Sequence, residues 1–451
     1  RSFWFRLRLQ DARFQGKKLA FLVLRHKLDT VQAVISARSD EALLPVIEFV
    51  KQVPLESIVD LHCSVVKADR QIEAATVQFE LSVQKLFCFS RRVKPLPFVL
   101  KDANRPETDA EGPVVSQDTR LDARVLDLRT LAMQAVCRIS SETCQLFREF
   151  LNANGFTEIH SPKIIGGTSE GGSNVFKLSY FGSEACLAQS PQLYKQMAIC
   201  GDLGRVYEIA PVFRAENSNT HRHMCEFVGL DLEMEFQNHY SEVRRLISAL
   251  FFHIFEGLNA RCAREIATIF KLYPREPFQY KPAAGSATKF LEFTFAEGCE
   301  MLRAAGHEIP ADISEFDINT TQEKELGALV KQKFGTDFYA MYEYPTAVRA
   351  FYSMPKPEDP VFSHSYDFFM RGEEILSGAQ RIHDSAMLEA AAVRAGINPQ
   401  TIRSYIEAFQ YGSYMHGGCG VGLERVVMLF LGLNNIRKTS MFPRDPKRLA
   451  P

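Results

Sequence analysis

The sequence predicts an α+β protein in which a small β-barrel precedes a larger domain of helices and a largely antiparallel sheet. Three observations support this fold class: strand-like runs crowd residues 3–90, prolines follow them, and long helical repeats then alternate unevenly with further strand-like runs. The regular βαβ alternation of a doubly wound fold, a G-x-G-x-x-G sequence and a Walker A loop are all absent from the sequence. With 451 residues, 46% of them apolar and 24% charged, the chain can form two or three domains with large cores.

The first domain is predicted from five strand-like runs and one short helix. Alternating or continuous apolar residues mark strands at residues 3–9, 19–24, 31–35, 58–66 and 76–89, and a helix at 43–50. Five short strands in this length of chain are typical of a closed barrel of the OB type. An SH3-like barrel or a fragment of a sandwich is the alternative. We assign the domain to residues 1–93 and expect Trp4 to lie in its core.

A change in composition predicts a linker at residues 94–120. Its prolines and acidic side chains include Pro95, Pro97, Pro106, Glu107, Asp109, Glu111 and Pro113. Such a composition is typical of a partly extended connection between domains. The second domain then covers residues 121–451.

The second domain mixes long helices with short strand-like runs. Apolar residues recur at helical spacing over residues 131–151. Thr294 with Glu297, and Thr320 with Glu323, have the spacing of capping boxes, which begin helices. Strand-like runs occur between the helices at residues 185–188, 205–209, 227–236, 338–341 and 366–370. This uneven order favours an α+β domain with a largely antiparallel sheet.

Charge is distributed unevenly along the chain, although 53 basic and 54 acidic residues leave a formal net charge of −1. Residues 1–100 hold 16 basic and 10 acidic side chains, and the remainder holds 37 and 44. A uniformly basic nucleic-acid binder is therefore excluded, whereas a polyanionic partner for the first domain is indicated. A solvated basic face without a partner is the alternative.

Composition also bears on the compartment. No apolar run approaches the roughly 18 residues needed to cross a bilayer, so we expect no membrane association. None of the ten cysteines forms a C-x-x-C pair, which argues against a zinc ribbon and favours reduced thiols in a cytoplasmic protein. Because the chain begins at Arg1 without a methionine, we expect an upstream segment.

A charged loop and the strand after it are the first candidate site. Residues 213–223, FRAENSNTHRH, lie between two strand-like runs. The following strand places Asp231, Glu233 and Glu235 on one face, where they repel one another unless the face meets cations or a polar site. For the loop alone, a solvated tip is the alternative.

Two further segments have unusual composition. Residues 367–384 combine acidic and basic side chains with two glycines. Residues 417–425, GGCGVGLER, precede an apolar run, which predicts a helix whose start brings backbone and Arg425 close to a ligand. One glycine-rich helix start is weak evidence when it stands alone.

Taken together, these segments resemble the signature motifs of the class II aminoacyl-tRNA synthetases. FTEIHSP at 156–162 resembles the first motif, the loop 213–223 the second and GVGLER at 420–425 the third. Within that class the whole chain, including FPRDP at 442–446, resembles the aspartyl-tRNA synthetases of the eukaryotic cytosolic type. The resemblance implies an antiparallel-sheet catalytic domain preceded by an OB-type five-stranded barrel. It also implies ATP-dependent attachment of L-aspartate to the 3′ end of tRNA-Asp through an aspartyl-adenylate.

The resemblance implies an ATP site built on arginines, with Arg214, Glu374 and Arg425 as catalytic residues. Arg214 would hold the α-phosphate and the reacting carboxylate, because its planar guanidinium suits paired oxygens. His223 would join Arg425 at the outer phosphates, and Phe227 would stack on the adenine, with a core position as the alternative for Phe227. The other residues implied at the nucleotide are Ala215, Glu216, Arg222, Met224, Gly422, Leu423 and Glu424.

Magnesium is the implied cofactor. Asp367, Glu374 and Ser377 match family positions for Mg²⁺, which prefers oxygen ligands and bridging phosphates. An ion-pair role is the alternative for Asp367. A zinc site at His221, His223 and Cys225 is disfavoured, because no second ligand pair has zinc spacing.

The implied aspartate site is rich in charged groups. Arg381 and Lys195 would bind the side-chain carboxylate, and asparagine would leave those cations unpaired. Asp231 would bind the substrate ammonium, and Glu170 lies on a glycine-rich segment that resembles the family's mobile flap. The whole set is Glu170, Gln192, Lys195, Arg214, Asp231, Ser377 and Arg381.

The barrel and the charged loop would bind tRNA. Phe21 matches a residue that stacks on an anticodon base, and Gln32 matches a base-edge contact. The tRNA contacts implied by the resemblance are Arg13, Phe21, Gln32 and Glu80 on the barrel, and Glu216 and Ser218 at the acceptor end.

Partners and competing functions complete the prediction. The proline-ended first motif is a dimer element in the family, which implies a homodimer, and membership of a multi-synthetase assembly is open. An asparagine-specific relative and a non-catalytic tRNA-binding paralogue are the alternatives. Lys195 argues against the first, and Arg214, Glu374 and Arg425 argue against the second. A related amide-forming ligase would lack the barrel.

Overall fold

The computed structural model describes residues 1–38, 40–68, 70–109, 111–166, 175–283 and 290–450. The chain divides into two compact units: residues 1–105 with 111–134, and residues 106–110 with 135–451. Each unit has a hydrophobic core of its own. None of the helices in the described ranges is long and apolar enough to cross a membrane.

Five strands of the first unit close into a barrel. The elements are β1 (Ser2–Phe14), β2 (Leu19–His26), β3 (Asp29–Ser36), α1 (Leu44–Lys51), β4 (Ile58–Lys67) and β5 (Phe79–Ser90). The strand order is β1-β2-β3-β5-β4, with β3 and β5 parallel and the other neighbours antiparallel. Alternate side chains point inward, so Leu22, Leu24, Ile35 and Leu61 are fully buried. The five-stranded barrel predicted from the sequence is confirmed.

Trp4 lies on the outer surface of the barrel and not in its core. Its exposed fraction is 57%, and its ring centroid lies 5.1 Å from that of His62. Leu9 on the same strand is fully buried and points inward. Because side chains alternate along β1, an even-numbered residue before Leu9 points outward, and the core prediction for Trp4 is wrong.

The predicted linker contains short helices, which also shifts the boundary between the units. The helices are α2 (Leu100–Ala103), α3 (Gln117–Asp122) and, just beyond the predicted linker, α4 (Arg124–Asp127). Phe98, Leu100, Ala103 and Leu126 form a small buried cluster. Prolines and acids predicted an extended chain, but the apolar side chains between them pack together. The first unit therefore extends to Gln134 rather than ending at residue 93.

From residue 131 onward, helices and strands alternate unevenly, as predicted. The strands are β6 (Thr157–Glu158), β7 (Ile164–Ile165), β8 (Lys177–Tyr180), β9 (Ser183–Leu187), β10 (Arg205–Phe213), β11 (Glu226–Glu235), β12 (Leu291–Thr294), β13 (Phe338–Tyr342), β14 (Ser365–Met370), β15 (Glu373–Gln380) and β16 (His416–Gly422). The helices are α5 (Leu131–Ala153), α6 (Gln192–Cys200), α7 (Ser241–Arg261), α8 (Ala263–Leu272), α9 (Phe295–Ala304), α10 (Thr320–Phe334), α11 (Ser385–Arg394), α12 (Arg403–Gln410) and α13 (Leu423–Phe430).

Eight of these strands form one sheet in the order β12-β13-β14-β15-β16-β11-β10-β6. Only the outermost pairs, β12–β13 and β10–β6, are parallel among the described strands, so the prediction of a largely antiparallel sheet is confirmed. Helix α7 packs on this sheet through residues spaced one turn apart, because Phe251 and Phe255 both contact Phe338 of β13 at 5.6 and 5.2 Å between ring centroids.

The two predicted capping boxes differ in outcome. Helix α9 begins at the box of Thr294 and Glu297, as predicted. Helix α10 begins one residue earlier than predicted, because Asn319 accepts hydrogen bonds from the first turn and Gln322 completes the box. Asn is among the strongest N-cap residues. The shift leaves the Glu323 carboxylate available for another partner.

The glycines of β16 make room for acidic side chains on β11. Gly418 pairs with Glu233, and Gly420 pairs with Asp231. A β-carbon at Gly418 would lie 2.4 Å from Glu233 Oε2, and one at Gly420 would lie 2.9 Å from Asp231 Oδ1. A side chain at either position would therefore displace the carboxylate of Glu233 or Asp231.

Candidate active site

A cavity of about 550 Å³ opens on the eight-stranded sheet of the second unit. Its walls come from β11, β15, β16, the loop between β10 and β11, and the start of α13. The residues predicted from the sequence that line it are Gln192, Arg214, Glu216, Arg222, His223, Met224, Phe227, Asp231, Glu374, Ser377, Arg381, Gly422, Glu424 and Arg425. Most of the predicted site, drawn from separate segments, is thus brought together.

Some predicted residues do not line the cavity in the described part of the chain. They are Ala215, Ser218, Leu423, Lys195 and Asp367. Leu423 is a buried residue of α13, whereas Ser218 lies on the loop, 3.5 Å from His223 Nδ1. Glu170 falls in the range 167–174, outside the described residues.

Lys195 lies behind one end of the cavity, and its ammonium group already has protein partners. It is fully buried and donates to Asp231 Oδ1 at 2.9 Å and to the Cys419 carbonyl oxygen at 3.0 Å. Its Nζ is also 3.7 Å from Glu233 Oε2. Lys195 therefore holds Asp231, which does line the cavity, and the predicted direct contact of Lys195 with a ligand stays a prediction.

Arg381 lies at the same end and is held from two sides. Its Nε donates to Glu233 Oε1 at 2.9 Å, and its Nη2 donates to Gln192 Oε1 at 3.2 Å and to the Gly418 carbonyl oxygen at 2.9 Å. Burial acts to raise the pKa of Glu233, but the adjacent Arg381 and Lys195 hold that pKa below its usual value. Glu233 is therefore a carboxylate that orients a cation.

One nitrogen of Arg381 is left for a ligand. Nε and Nη2 are directed at the protein, whereas Nη1 has no hydrogen-bond partner among the described residues. Arg381 lines the cavity although only 4% of it is exposed. A buried cation that lines a cavity and has a donor without a protein partner is suited to bind a carboxylate.

Arg214 and Phe227 line the cavity at the other end from Arg381. The Arg214 guanidinium lies 5.5 Å from the Phe227 ring centroid. Its side chain is exposed and makes no hydrogen bond or ion pair with the described residues. Phe227 is half-buried and lines the cavity, so it is not a core residue. An aromatic face beside an unpaired arginine suits a planar base and an oxyanion.

Arg425 and Arg222 are held at the same end by carbonyl and carboxylate oxygens. Arg425 donates to the carbonyl oxygens of Glu374 at 3.0 Å and of Arg222 at 3.2 Å. Arg222 in turn donates to Glu323 Oε2 at 3.2 Å and Thr320 Oγ1 at 2.6 Å. The role of Glu323 was missed in the sequence, because its spacing from Thr320 was interpreted as a helix cap.

Burial shifts the pKa of two further residues that line the cavity, His223 and Glu424. Burial and the neighbouring Arg425 lower the pKa of His223, and its Nδ1 lies 2.5 Å from Thr220 Oγ1. Burial raises the pKa of Glu424 to about 7, and its carboxylate accepts a hydrogen bond from the Val228 amide at 3.1 Å.

Glu374 is one of the acidic residues that line the cavity, whereas Asp367 does not line it. Burial and the nearby Asp367 raise the pKa of Glu374 to about 7. Both carboxylate oxygens of Asp367 accept hydrogen bonds from Arg349, at 2.9 and 2.7 Å, and Arg349 also donates to Ser377 Oγ at 2.9 Å. The ion-pair alternative for Asp367 thus describes its contacts. Arg349, which lines the cavity, was missed because no local motif surrounds it.

Arg437 supports the loop between β10 and β11, and it too was missed. It is 5% exposed and donates to Asp445 Oδ2 at 2.6 Å, to the Thr220 carbonyl oxygen at 3.0 Å and to Asn219 Oδ1 at 2.6 Å. The loop that presents Arg214 and His223 is therefore tied to a segment near the end of the chain.

The residues predicted to contact an anticodon lie together on the barrel of the first unit. The Arg13 guanidinium is 5.5 Å from the Phe21 ring centroid, because the two residues pair across β1 and β2. Gln32 donates to Glu80 Oε1 at 2.6 Å across β3 and β5. Arg13 is exposed, whereas Gln32 is only 9% exposed, so the Gln32 amide lies largely covered beside Glu80.

An antiparallel sheet that presents arginines from a hairpin loop and from the helix after a glycine-rich strand defines a class II aminoacyl-tRNA synthetase. The sequence comparison agrees, since residues 116–446 match the family model for class II tRNA synthetases of the D, K and N type. The chain belongs to this family.

The assignment within the family rests on relatives that match nearly the whole chain. The chain is 51% identical to the cytoplasmic aspartate–tRNA ligase 1 of Arabidopsis thaliana, over 98% of this chain and 83% of the relative. It is also 51% identical to the human cytoplasmic aspartate–tRNA ligase, over 99% of this chain and 88% of the relative. Within the family, the chain therefore belongs to the aspartate–tRNA ligases.

Solved structures agree with this assignment. The aspartyl-tRNA synthetase of Entamoeba histolytica superposes with a TM-score of 0.89 at 43% identity, over 100% of this chain and 90% of the other. The asparaginyl-tRNA synthetase of Pyrococcus horikoshii with asparaginyl-adenylate superposes with a TM-score of 0.84 at 28% identity, over 100% of this chain and 96% of the other.

Proposed function

We propose that the chain activates L-aspartate with ATP and transfers it to the 3′ end of tRNA-Asp. The observation that carries this proposal is Arg381, a buried cation that lines the cavity and whose Nη1 has no hydrogen-bond partner among the described residues. A side-chain carboxylate is the group that such a donor binds best. Unpaired Arg214 at the other end supports the use of ATP in the same cavity.

In the first step, an α-carboxylate oxygen of aspartate attacks the α-phosphorus of ATP. The bond from that phosphorus to the bridging oxygen breaks, and pyrophosphate leaves. Two anions must approach each other, so the main contribution of the protein is positioning and positive charge. Arg214 would hold the reacting oxygens, Phe227 the adenine, and Arg425 with His223 the outer phosphates.

Asp231 and Arg381 would orient the amino acid for this attack. Asp231 would bind the ammonium group, with its carboxylate held by Lys195. Arg381 would bind the side-chain carboxylate through Nη1, while Glu233 and Gln192 keep its other nitrogens occupied. This orientation leaves the α-carboxylate to face Arg214.

Magnesium fits the residues present through Glu374. Among the described residues, no group of three or more His, Cys, Asp or Glu side chains is arranged to hold a metal ion. Mg²⁺ is usually bound by one or two carboxylates together with substrate phosphates, so the cavity-facing Glu374 and the Ser377 hydroxyl can supply the protein ligands. Asp367 would act through Arg349. The ion would neutralise phosphate charge.

In the second step, the terminal hydroxyl of tRNA attacks the activated carbonyl carbon and AMP leaves. Glu216 and Ser218 lie on the loop between β10 and β11, where they can meet the acceptor end. The barrel surface with Arg13, Phe21, Gln32 and Glu80 would bind the anticodon, because stacking on an aromatic ring beside a cation suits unpaired bases.

The relatives support a location for the protein, whereas its assembly stays a prediction. Two of the relatives described above are named cytoplasmic, which supports a cytoplasmic protein here. A homodimer through the first motif, and membership of a larger synthetase assembly, stay predictions. Size-exclusion chromatography with light scattering would test the dimer.

Asparagine is the competing substrate, since an asparaginyl-tRNA synthetase shares the fold. ATP–pyrophosphate exchange with each amino acid distinguishes the two. We expect exchange with aspartate and almost none with asparagine. Exchange with asparagine alone would refute the proposal, and charging of tRNA-Asp and tRNA-Asn transcripts would then identify the tRNA.

A further inference from the structure

Gln196 occupies a buried position behind the aspartate end of the cavity. It lies on α6, is fully buried and does not line the cavity. Its Oε1 accepts hydrogen bonds from Gln192 Nε2 and from Tyr405 Oη, both at 3.0 Å. Its Nε2 lies 3.2 Å from His416 Nε2. Gln196 therefore joins a residue of the cavity wall to two residues that the proposed reaction does not use.

The two ends of this hydrogen-bond chain determine the direction of each bond in it. The Tyr414 carbonyl oxygen can only accept, so His416 Nδ1 donates to it at 2.7 Å. Burial lowers the pKa of His416, which favours the neutral ring. The Nε2 of a neutral ring with Nδ1 protonated accepts, so Gln196 Nε2 donates to it. At the other end, Arg381 can only donate, and Gln192 Oε1 accepts from it at 3.2 Å.

Reversal of the Gln192 amide would therefore be costly. Gln192 Nε2 donates to Gln196 Oε1 at 3.0 Å and faces Glu233 Oε2 at 3.4 Å. In the reversed amide, an oxygen would meet these two acceptors and an NH₂ group would meet the Arg381 guanidinium. Unmatched polar groups in a buried site are strongly disfavoured.

We infer that Gln196 is a positioning residue for recognition of the amino acid, because it holds the Gln192 amide in the orientation that accepts from Arg381 Nη2 and leaves Nη1 for a ligand. The inference rests on the proposed function, since Nη1 matters when the substrate has a side-chain carboxylate. Gln196 contacts no reacting atom and acts through Gln192.

The test compares Gln196→Met with Gln196→Glu in ATP–pyrophosphate exchange. Methionine keeps the size and removes both polar atoms, so we expect the KM for aspartate to rise about tenfold, the effect of one or two lost hydrogen bonds. The KM for ATP stays within about twofold, because the nucleotide end is untouched. A glutamate still accepts from Gln192 and Tyr405, and from a protonated His416, so it should restore the KM for aspartate to within about threefold of the original.

The matched control is Gln380→Met. Gln380 is also buried, is the last residue of β15 directly before Arg381, and contacts His364 instead, with Oε1 2.9 Å from His364 Nδ1. The Gln380→Met substitution should leave the KM for aspartate unchanged. Tyr405→Phe removes one donor to Gln196 and should raise the KM for aspartate about twofold to threefold. If Gln196→Met does not fold, Tyr405→Phe tests the inference in its place.

Three results would overturn the inference. The first is an unchanged KM for aspartate in Gln196→Met or, if that variant does not fold, in Tyr405→Phe. The second is an equal rise in the KM values for aspartate and ATP, and the third is a Gln196→Glu variant as impaired as Gln196→Met. A parent protein that exchanges only with asparagine would refute the proposed function instead, so the two failures are distinguishable.

Discussion

The cavity of the second unit and the predicted anticodon surface of the barrel hold their polar side chains in different ways. At the cavity, the lining residue Arg381 and, behind it, Lys195 and Glu233 are at most 4% exposed, and each has several polar partners. On the barrel, Arg13 is exposed and contacts the face of Phe21 at 5.5 Å. Activation of a small zwitterion requires charges fixed before it binds, whereas a surface that stacks on unpaired bases tolerates adjustable side chains. Mutations should therefore have unequal effects in the two regions.

The largest effect is expected for Arg214→Ala. This cation is unpaired among the described residues, so its loss should remove charge stabilisation without breaking internal contacts. We expect the exchange rate to fall by about a thousandfold or more, with the thermal unfolding midpoint unchanged. Arg394→Ala, at an exposed arginine of α11, is the matched control and should retain full activity. Near-normal exchange in Arg214→Ala would refute its assigned role.

The next largest effect is expected for Glu233→Gln, which tests how far the buried charges of Arg381 and Lys195 depend on Glu233. Glu233→Gln leaves Arg381 and Lys195 buried with one fewer anion, which should lower the free energy of unfolding by about 3 kcal/mol. The KM for aspartate should rise as Arg381 loses its orientation. Urea unfolding measures the first effect and exchange kinetics the second. On the barrel, Glu41→Gln removes an exposed partner of Lys18 and should change neither quantity. Equal effects of the two substitutions would contradict the comparison.

A smaller effect on activity is expected for Arg437, which does not line the cavity but holds a loop that does. Arg437→Ala removes two hydrogen bonds to the loop between β10 and β11 and the bond that anchors Arg437 to Asp445, so the loop should lose its fixed position. We expect kcat/KM for ATP to fall roughly 20-fold, the equivalent of about two lost hydrogen bonds, while the KM for aspartate changes less. Arg403→Ala, at an exposed pair with Glu407 on α12, is the control. A larger rise in the KM for aspartate than in that for ATP would show that the loop has been assigned to the wrong end of the cavity.

The residues found from the sequence and those missed differ in where their partners lie. Arg214, His223 and Arg425 occur in short dense motifs, and alternation alone placed Asp231 and Glu233 on one face. Arg437 contacts a loop more than 200 positions earlier in the chain, which no local pattern can indicate. Gln196 was missed for a similar reason, because Tyr405 and His416 approach it only after α6, α12 and β16 have packed.

The fold shows the same division between local and distant information. The barrel strands follow from alternation, and their existence was predicted. The small core around Phe98 and Leu126 was not, because its apolar residues are scattered among prolines and acids that have the composition of a linker. The wrong position of Trp4 came from treating a large aromatic residue as core, although its place relative to Leu9 in the alternation puts it outside.

The smallest effect is expected for Phe21→Ala on the barrel. Loss of one stacked base should cost about 1 kcal/mol, or a rise of roughly fivefold in the KM for tRNA. Exchange of ATP and pyrophosphate with aspartate should be unchanged, because that reaction needs no tRNA. Phe89→Ala is a suitable control, since Phe89 is another exposed aromatic of the barrel, 57% accessible and covered by Arg6, and lies outside the predicted anticodon contacts. Equal loss of exchange and charging in Phe21→Ala would mean that the barrel surface and the cavity do not divide the reaction between them. An effect of Phe89→Ala on charging as large as that of Phe21→Ala would instead move the tRNA contact to another face of the barrel.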